Sequence, residues 1–193
     1  MKYIQIALDG PAGAGKSTIA KLLAKALQYT YIDTGAMYRA VTLKAIENNI
    51  DLKDEAAFDF IYSTIFEFKN GHLFMDGKDV SLRIRNHDVS NNVSLVSSYL
   101  SVRKQLVLAQ QIMAKNDNVV MDGRDIGYMV LPNAQFKFYI TASIEERARR
   151  RHQDNIARGL KSDINTLFKE IERRDHLDST RKHSPLKPAS DAV

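Results

Sequence analysis

The feature that most constrains this chain is Gly10-Pro11-Ala12-Gly13-Ala14-Gly15-Lys16-Ser17-Thr18. It fits G-x-x-x-x-G-K-[ST], the pattern of a phosphate-binding loop. Such a loop works only between a strand and a helix, and both are signalled here. Tyr3-Ile4-Gln5-Ile6-Ala7-Leu8 is a short apolar run of the buried-strand kind, and Ile19, Leu22, Leu23 and Ala26 recur at helical spacing behind the loop. The chemistry requires this order. Glycines let the backbone approach phosphate oxygens and turn successive N–H groups inward. The following helix adds unpaired N–H groups and the positive end of its dipole. Lys16 is expected to reach the β- and γ-phosphates of a nucleotide, and the Ser17 hydroxyl to hold Mg²⁺.

The next stretch repeats the strand–helix order. Tyr29-Thr30-Tyr31-Ile32 is a second β-like run, Asp33-Thr34-Gly35 a turn, and a helix is expected from about Ala36 to Glu47 with Met37, Val41 and Ile46 inward. This is a βαβα unit of the parallel-sheet type, whose ligands bind beyond the carboxyl ends of the strands. From Thr64 the pattern changes. Asn70-Gly71 and Asp76-Gly77 are two-residue hairpin turns. They set Phe68 opposite Leu73, Phe66 opposite Met75 and Val80 opposite Leu73 in a small antiparallel three-stranded insert. Helical spacing returns with Val89, Val93, Val96 and Leu100, and Ser101 is the expected N-cap of a further helix with Val102, Leu106, Ala109 and Met113 inward. Val119-Val120-Met121-Asp122 is a buried strand ending in a carboxylate, the place of the second acidic element in phosphate-loop enzymes. Phe136–Ile140 is another strand. Ser143-Ile144-Glu145-Glu146 is a capping box for a charged helix that stops at Gly159, and Ser162-Asp163 starts a last helix expected to run to about Arg174. Asp191-Ala192-Val193 has the look of a strand beginning.

Composition narrows the chemistry. The 193 residues include no cysteine, which excludes disulfides, thiolate nucleophiles and cysteine-ligated zinc. The histidines are scattered with no i,i+4 pair, so they do not make a metal set. No apolar run approaches the ~20 residues of a membrane helix, and the apolar N-terminus is too short for a signal peptide. A soluble, cytoplasmic protein is expected. The formal charge of +5 peaks at Arg147-Ala148-Arg149-Arg150-Arg151 and at Arg173-Arg174. No aromatic residues interleave with these clusters, which argues against nucleic acid, and neither borders an apolar face of the membrane-surface type. A substrate carrying several phosphates would account for the charge as well as nucleic acid would.

The arginines give that substrate a place. Arg147, Arg150, Arg151 and Arg158 share one helix face. They are either a solvated face paired with Glu145, Glu146 and Asp154, or a flap that brings positive charge to a transferring phosphoryl group. Arg39, Arg103, Arg124, Arg174 and Arg181 stand at strand ends or helix termini. A guanidinium can grip a phosphate with two parallel bonds, so the set suggests a second phosphate-bearing substrate beside the loop. Three readings remain open on these residues alone: a phosphotransferase, a nucleotide-hydrolysing switch, and a nucleic-acid module using the basic helix.

Three further segments carry a family resemblance: Asp33-Thr34-Gly35-Ala36-Met37-Tyr38-Arg39, then Asp122-Gly123-Arg124-Asp125-Ile126-Gly127, then Arg173-Arg174-Asp175 with Asp178, Arg181 and Ser184-Pro185-Leu186. With the phosphate loop and the insert at about 64–82, they make the chain resemble the nucleoside monophosphate kinases, most closely the bacterial cytidylate kinases, over essentially its whole length. The resemblance implies a three-layer α/β phosphate-loop fold with a parallel core sheet, an antiparallel CMP-binding insert and a short lid. It divides the single domain into a core (about 1–36, 102–146 and 160–193), a CMP-binding region (about 37–101) and a lid (about 147–159). It implies ATP, Mg²⁺ and CMP or dCMP as the small-molecule reactants, with CDP or dCDP as product. Gly10 to Thr18 would bind ATP. Arg39 and Arg124 would hold the CMP phosphate. Ser94, Arg103 and Asp125 would face the cytosine, with Arg181 close by, and Arg174 and Asp178 would meet the sugar. Thr34 stands where the family often has serine. Lys16, Arg124 and the lid arginines Arg151 and Arg158 would be catalytic. A kinase for UMP, AMP or a small metabolite is the alternative, and a monomer is expected. The family continues past the equivalent of Val193 into a closing strand and helix, whose absence is expected to leave one side of the first strand unpaired.

Overall fold

A computed structural model describes residues 3–157, 159 and 161–193. In chain order the first half holds β1 (Gln5–Asp9), α1 (Lys16–Leu27), β2 (Thr30–Asp33), α2 (Thr34–Glu47), β3 (Phe66–Lys69), β4 (His72–Met75) and β5 (Lys78–Asp79). It continues through α3 (His87–Val96), α4 (Leu100–Ala114), β6 (Val119–Asp122), β7 (Phe136–Tyr139), α5 (Ile144–Ala157) and α6 (Ile164–Thr180). A 3₁₀ segment, Glu55–Ser63, lies between α2 and β3, and a single π-type turn, Ile126–Val130, follows β6.

Four strands form a parallel sheet in the order β2-β6-β1-β7. Ala7 lies opposite both Met121 and Lys137, so β1 has a partner on each side. The expectation of an unpaired flank on this strand is therefore corrected: β7 takes that place. The outer edge of β7 is met in turn by Val193, whose N–H donates to the Lys137 carbonyl at 3.0 Å and whose carbonyl accepts from the Tyr139 N–H at 2.8 Å. Alternation sets the two faces. Ile6, Leu8 and Val120 pack with Ala20 and Ala24 of α1. Ala7, Ile32, Val119 and Met121 face the other way, onto Ala114 of α4 and onto Ile126 and Val130. With both faces covered, β6 is buried along its whole length, which is why it is a continuous apolar run. The fold is the three-layer α/β phosphate-loop type. Among the described residues no helix is long and apolar enough to cross a membrane.

A second layer packs beyond the sheet. One side of α2 joins Phe58, Val93, Val102 and Leu106 through Met37, Val41 and Ala45. Its other side meets Leu73, Met75, Val80 and Ile84 through Ala36, Ala40 and Leu43. Buried from both sides, α2 has no polar face, and its small residues let its neighbours approach. The antiparallel β3-β4-β5 sheet has the register its turns dictate, Phe68 opposite Leu73 and Phe66 opposite Met75. Asn70 (φ 52°) and Gly71 (φ 79°) are both left-handed, as are Asp76 and Gly77, the backbone that fits a two-residue hairpin to strand twist.

Several helix limits differ from the sequence pattern. α2 starts at Thr34, because the Asp33 carboxylate accepts from the Ala36 N–H at 2.9 Å and caps it. Ser101 is not an N-cap, and Leu100 opens α4 rather than closing α3. Both the N–H and the hydroxyl of Ser101 donate to Glu55 at 3.0 Å, so the carboxylate that serves this helix start comes from the 3₁₀ segment. The Ser143 hydroxyl caps α5 by accepting from Glu146 N–H at 3.3 Å, while the Glu146 carboxylate turns to Arg149 and Arg150 instead of completing the box. The last helix does not stop at Arg174 but runs to Thr180. Its second half buries Asp178 among arginines, so apolar periodicity ends before the helix does.

Candidate active site

The phosphate loop leaves β1 and enters α1 as its residue types demand. A Cβ on Gly10 would lie 1.9 Å from the Ile140 carbonyl oxygen, so only glycine passes. Gly13 (φ 78°) and Gly15 (φ 96°) take left-handed backbone. Gly15 precedes α1 with no side-chain cap, so the first N–H groups of the helix stay available to an anion. The Lys16 ammonium is buried and donates to the Pro11 carbonyl at 2.7 Å. Burial, with Arg124 nearby, holds its pKa well below the ordinary lysine value. Asp122 and Asp9 offset this only in part, so a phosphate would supply further counter-charge.

Asp122, at the end of β6, faces the loop. Its Oδ2 accepts from the Ser17 hydroxyl at 2.7 Å and its Oδ1 from the Tyr31 hydroxyl at 2.7 Å. Burial and the neighbouring Asp33 push the Asp122 carboxyl up, and burial likewise pushes the Tyr31 phenol up. A hydroxyl and a carboxylate side by side at a phosphate loop are hard oxygen donors of the kind Mg²⁺ takes, with waters and phosphate oxygens filling its remaining positions. The pair fits that ion. Tyr31 carried no sequence signal, and Asp122 was legible only as a carboxylate at a strand end.

In front of the loop is a cleft of about 840 Å³. Gly13, Lys16 and Ser17 form one wall, Arg147, Arg150 and Arg151 of α5 a second, and Arg39, Arg85 and Ser90 a third. Arg39 donates to the Ser90 hydroxyl at 2.9 Å. Burial, with Arg85, Arg124 and Arg151 close by, brings its pKa down to about 10. Burial, Arg124 and Arg39 bring Arg174 down to about 9. Guanidinium groups crowded enough to shift one another mark a place built for an anion.

Behind the cleft is a smaller pocket of about 50 Å³, lined by Thr34, Tyr38, Ser97, Arg103, Asp125 and Arg181 among others. That volume admits a few waters and not a nucleobase, so a base would enter only as the walls part. Asp125 accepts from Arg103, which also donates to the Ser97 carbonyl at 3.0 Å and lies 5.4 Å from the centre of the Tyr38 ring. Arg181 reaches within 3.8 Å of the other Asp125 oxygen. Arg124 donates to Asp178 at 3.1 Å, and Arg174 lies 3.9 Å from the same carboxylate. Burial works against charge on Asp178, but Arg124, Arg174 and Arg181 outweigh it and hold the carboxyl below its ordinary range. Four buried polar atoms here have no hydrogen-bond partner: Tyr38 Oη, Arg103 Nε, Arg174 Nε and Arg181 Nη2. Arg174 Nε and Arg181 Nη2 face carboxylates at 3.9 and 3.8 Å, too long for a hydrogen bond, so this group keeps donor capacity for a polar ligand.

The remaining expected residues are placed as follows. Thr34 donates to the Asp122 carbonyl at 2.8 Å. Ser94 does not line the Asp125 pocket; it lies in a neighbouring crevice with Arg151 and Arg174, and Ser97 takes its place beside Arg103. Thr18 lines the cleft, and Pro11, Ala12 and Ala14 shape the loop backbone. Arg158 lies outside the described residues. The α5 arginines are not one uniform face. Arg149 and Arg150 pair with Glu146 in solvent. Arg147 is buried and donates to the Ala12 carbonyl of the loop at 3.1 Å and to Asp175 of α6 at 2.5 Å.

Comparison with known proteins gives this geometry a family. A family model described as cytidylate kinase matches residues 6–193. A cytidylate kinase from Geobacillus sp. (strain WCH70) is 54% identical over 195 residues, covering 98% of this chain and 87% of its own length. One from Pediococcus pentosaceus is 54% identical over 197 residues, covering 100% of this chain and 87% of its own. One from Listeria innocua is 52% identical over 196 residues, covering 100% and 88%. A phosphate loop, and a sequence matched by that family model from its first strand to Val193, lead to one conclusion: the chain belongs to the cytidylate kinase family.

Proposed function

We propose that the protein transfers the γ-phosphoryl group of ATP to CMP or dCMP, giving ADP and CDP or dCDP. The observation that carries the substrate side is the group of buried polar atoms without hydrogen bonds around Asp125 and Asp178, in a fold whose other cleft is walled by the phosphate loop. Asp125 accepts hydrogen bonds, so it suits the exocyclic amino group of cytosine. Uracil has a carbonyl there, and acceptor facing acceptor costs roughly 1–3 kcal/mol in a buried site. Arg103 and Arg181 supply donors for the ring acceptors, and Ser97 is a wall residue of this pocket, with Ser94 in the neighbouring crevice. Arg174 and Asp178 take the sugar, and Arg39 and Arg124 the acceptor phosphate.

On the donor side, the N–H groups from Gly13 to Thr18 wrap the β- and γ-phosphates, and Lys16 leaves Pro11 to meet them. Ser17 and Asp122 would hold Mg²⁺, which supplies charge neutralisation on the phosphates. Lys16, Arg124 and Arg151, together with Arg158, spread the charge of the moving phosphoryl group. Positioning and charge stabilisation dominate such a transfer, so no strong base is needed on the attacking phosphate oxygen. The pocket volume supports a closing division of labour, with a core, a CMP-binding region at about 37–101 and a lid at about 147–159.

The test is ADP formation from ATP and Mg²⁺ with CMP, dCMP, UMP and AMP offered separately. Fast turnover with CMP and dCMP, weak turnover with UMP and none with AMP is the expected result. Equal rates with UMP and CMP would remove Asp125 as the base reader.

A further inference from the structure

One buried carboxylate near the cleft belongs to neither substrate site. Asp9 ends β1 and directly precedes Gly10, and its side chain is 3% exposed. Its Oδ1 accepts from the Ile126 N–H at 2.8 Å and its Oδ2 from the Gly127 N–H at 2.7 Å. Those two amides open the turn that immediately follows Arg124 and Asp125. The Asp9 carbonyl meanwhile accepts from Ile140 N–H at 2.8 Å, tying the same residue to the end of β7. A Cβ on Gly127 would stand 3.3 Å from Asp9 Oδ2 and from Lys137 Cδ and Ala189 Cβ, close enough that the carboxylate or its neighbours would have to give way.

A neutral acceptor could have satisfied one amide at less expense. A carboxylate must be stripped of water here, and burial pushes its pKa up to about 6 even though both N–H bonds pull it down. Asp125 adds to the rise and Lys16 opposes it. What the carboxylate gives in return is a two-point grip, which fixes rotation as well as distance.

We propose that Asp9 is a positioning residue that aims Arg124 and Asp125 at the acceptor nucleotide from the strand that launches the phosphate loop. The donor-binding backbone begins one residue after Asp9 and the acceptor-binding pair ends one residue before Ile126. The two carboxylate bonds are thus a short direct link between the halves of the site. The inference rests on reading Arg124 and Asp125 as acceptor-binding residues. Asp9 itself touches no substrate.

Two variants of the full chain test it. Asp9→Asn offers one acceptor and one amino group, so whichever way the amide turns, one of the two N–H groups loses its partner. Gly127→Ala strains the same contact from the other side. In each, KM for CMP is expected to rise about tenfold or more, the preference for CMP over UMP to fall, and kcat to fall as well, because Arg124 also faces the moving phosphoryl group. The ATP Kd, measured without acceptor, is expected to stay within about twofold of wild type. Hydrogen exchange in the ligand-free variants should quicken at Ile126 and Gly127 and stay unchanged along β1. An unchanged KM for CMP in the variant that folds overturns the proposal. So does an equal weakening of ATP and CMP, the signature of general damage. The exchange measurement needs no substrate: faster exchange in the variants, beside a wild type that does not phosphorylate CMP, would sink the functional reading and leave the Asp9 grip standing.

Discussion

The two halves of the site are built on opposite principles. The donor half is a single run of chain, Gly10 to Thr18, and its chemistry is carried mainly by backbone N–H groups. The acceptor half gathers side chains from α2, α4, the turn after β6, and both the middle and the end of α6. A backbone-built site is rigid before the ligand arrives, because φ and ψ at its glycines are fixed by their neighbours. A side-chain-built site in the empty protein spends its charges on itself, as Arg103 does on Asp125 and Arg124 on Asp178. The donor half exchanges few internal bonds, chiefly that of Lys16 to Pro11, whereas the acceptor half must exchange several side-chain ion pairs for ligand bonds.

The largest expected effect breaks the donor half. Lys16→Ala should lower kcat by about 10³-fold or more, ~4 kcal/mol of transition-state stabilisation, since it removes a charge aimed at the moving phosphoryl group. Thermal unfolding of the empty variant should show no loss of stability, because the wild-type lysine is a buried cation without a carboxylate partner. A variant with near-normal kcat would remove Lys16 from the mechanism. In the acceptor half the same kind of change strikes stability and selectivity together. Asp125→Asn leaves Arg103 buried without its counter-charge and should cost about 3 kcal/mol in urea unfolding. It should also reduce the kcat/KM ratio of CMP over UMP by about 10-fold or more. Selectivity lost without stability would mean that the Arg103 pair is already weak in the empty protein.

The same contrast decides what the sequence made legible. The phosphate loop, the parallel core strands and the β3-β4 register are local statements, each written in consecutive residues. Asn70-Gly71 alone sets the hairpin pairing. The acceptor pocket is a non-local statement. Arg39, Arg103, Arg124, Arg174 and Arg181 span 142 positions of the chain, and only the family resemblance named them as a set. Where both failed, long-range contacts were responsible. Glu55 serves the start of α4 from an earlier segment, so the nearby Ser101 looked like the cap. Arginines replace apolar partners around Asp178, so the pattern lost α6 six residues before its end. Arg147 was hidden among exposed arginines that share its helix, and only its bonds to Ala12 and Asp175 separate it from them.

A subtler probe acts where the halves meet. The Asp9 carboxyl rises from its ordinary 3.8 to about 6 on folding, which corresponds to ~3 kcal/mol. Between those values the folded chain binds a proton that the unfolded chain has released. This contribution to stability is therefore fully present below about pH 4 and is lost as pH rises through about 6. Relative to Asp9→Asn, which cannot titrate, the wild type should gain stability as the pH falls from about 7 to about 4. Urea unfolding of both proteins at matched pH reads the difference. Parallel curves would show that the two N–H bonds to Asp9 offset its burial completely.

The smallest expected effect tests whether the insert belongs to the acceptor half or only supports it. Asn70 sits at φ 52° with Gly71 beside it at φ 79°. An alanine at position 70 would hold the left-handed conformation at a cost of about 1 kcal/mol. Asn70→Gly would be nearly neutral, because glycine adopts that backbone freely. Neither cleft includes this turn among its walls. The hairpin meets α2, the helix that carries Tyr38 and Arg39, through Leu73 and Met75 against Ala36, Ala40 and Leu43 and through Asp76, which pairs with Lys44 at 2.6 Å. A loss of about 1 kcal/mol in Asn70→Ala with KM for CMP unchanged would make the insert a support behind α2. A rise in that KM, absent in Asn70→Gly, would mean that strain in the turn passes through α2 to Arg39, and the acceptor half would then extend to the β3-β4 hairpin.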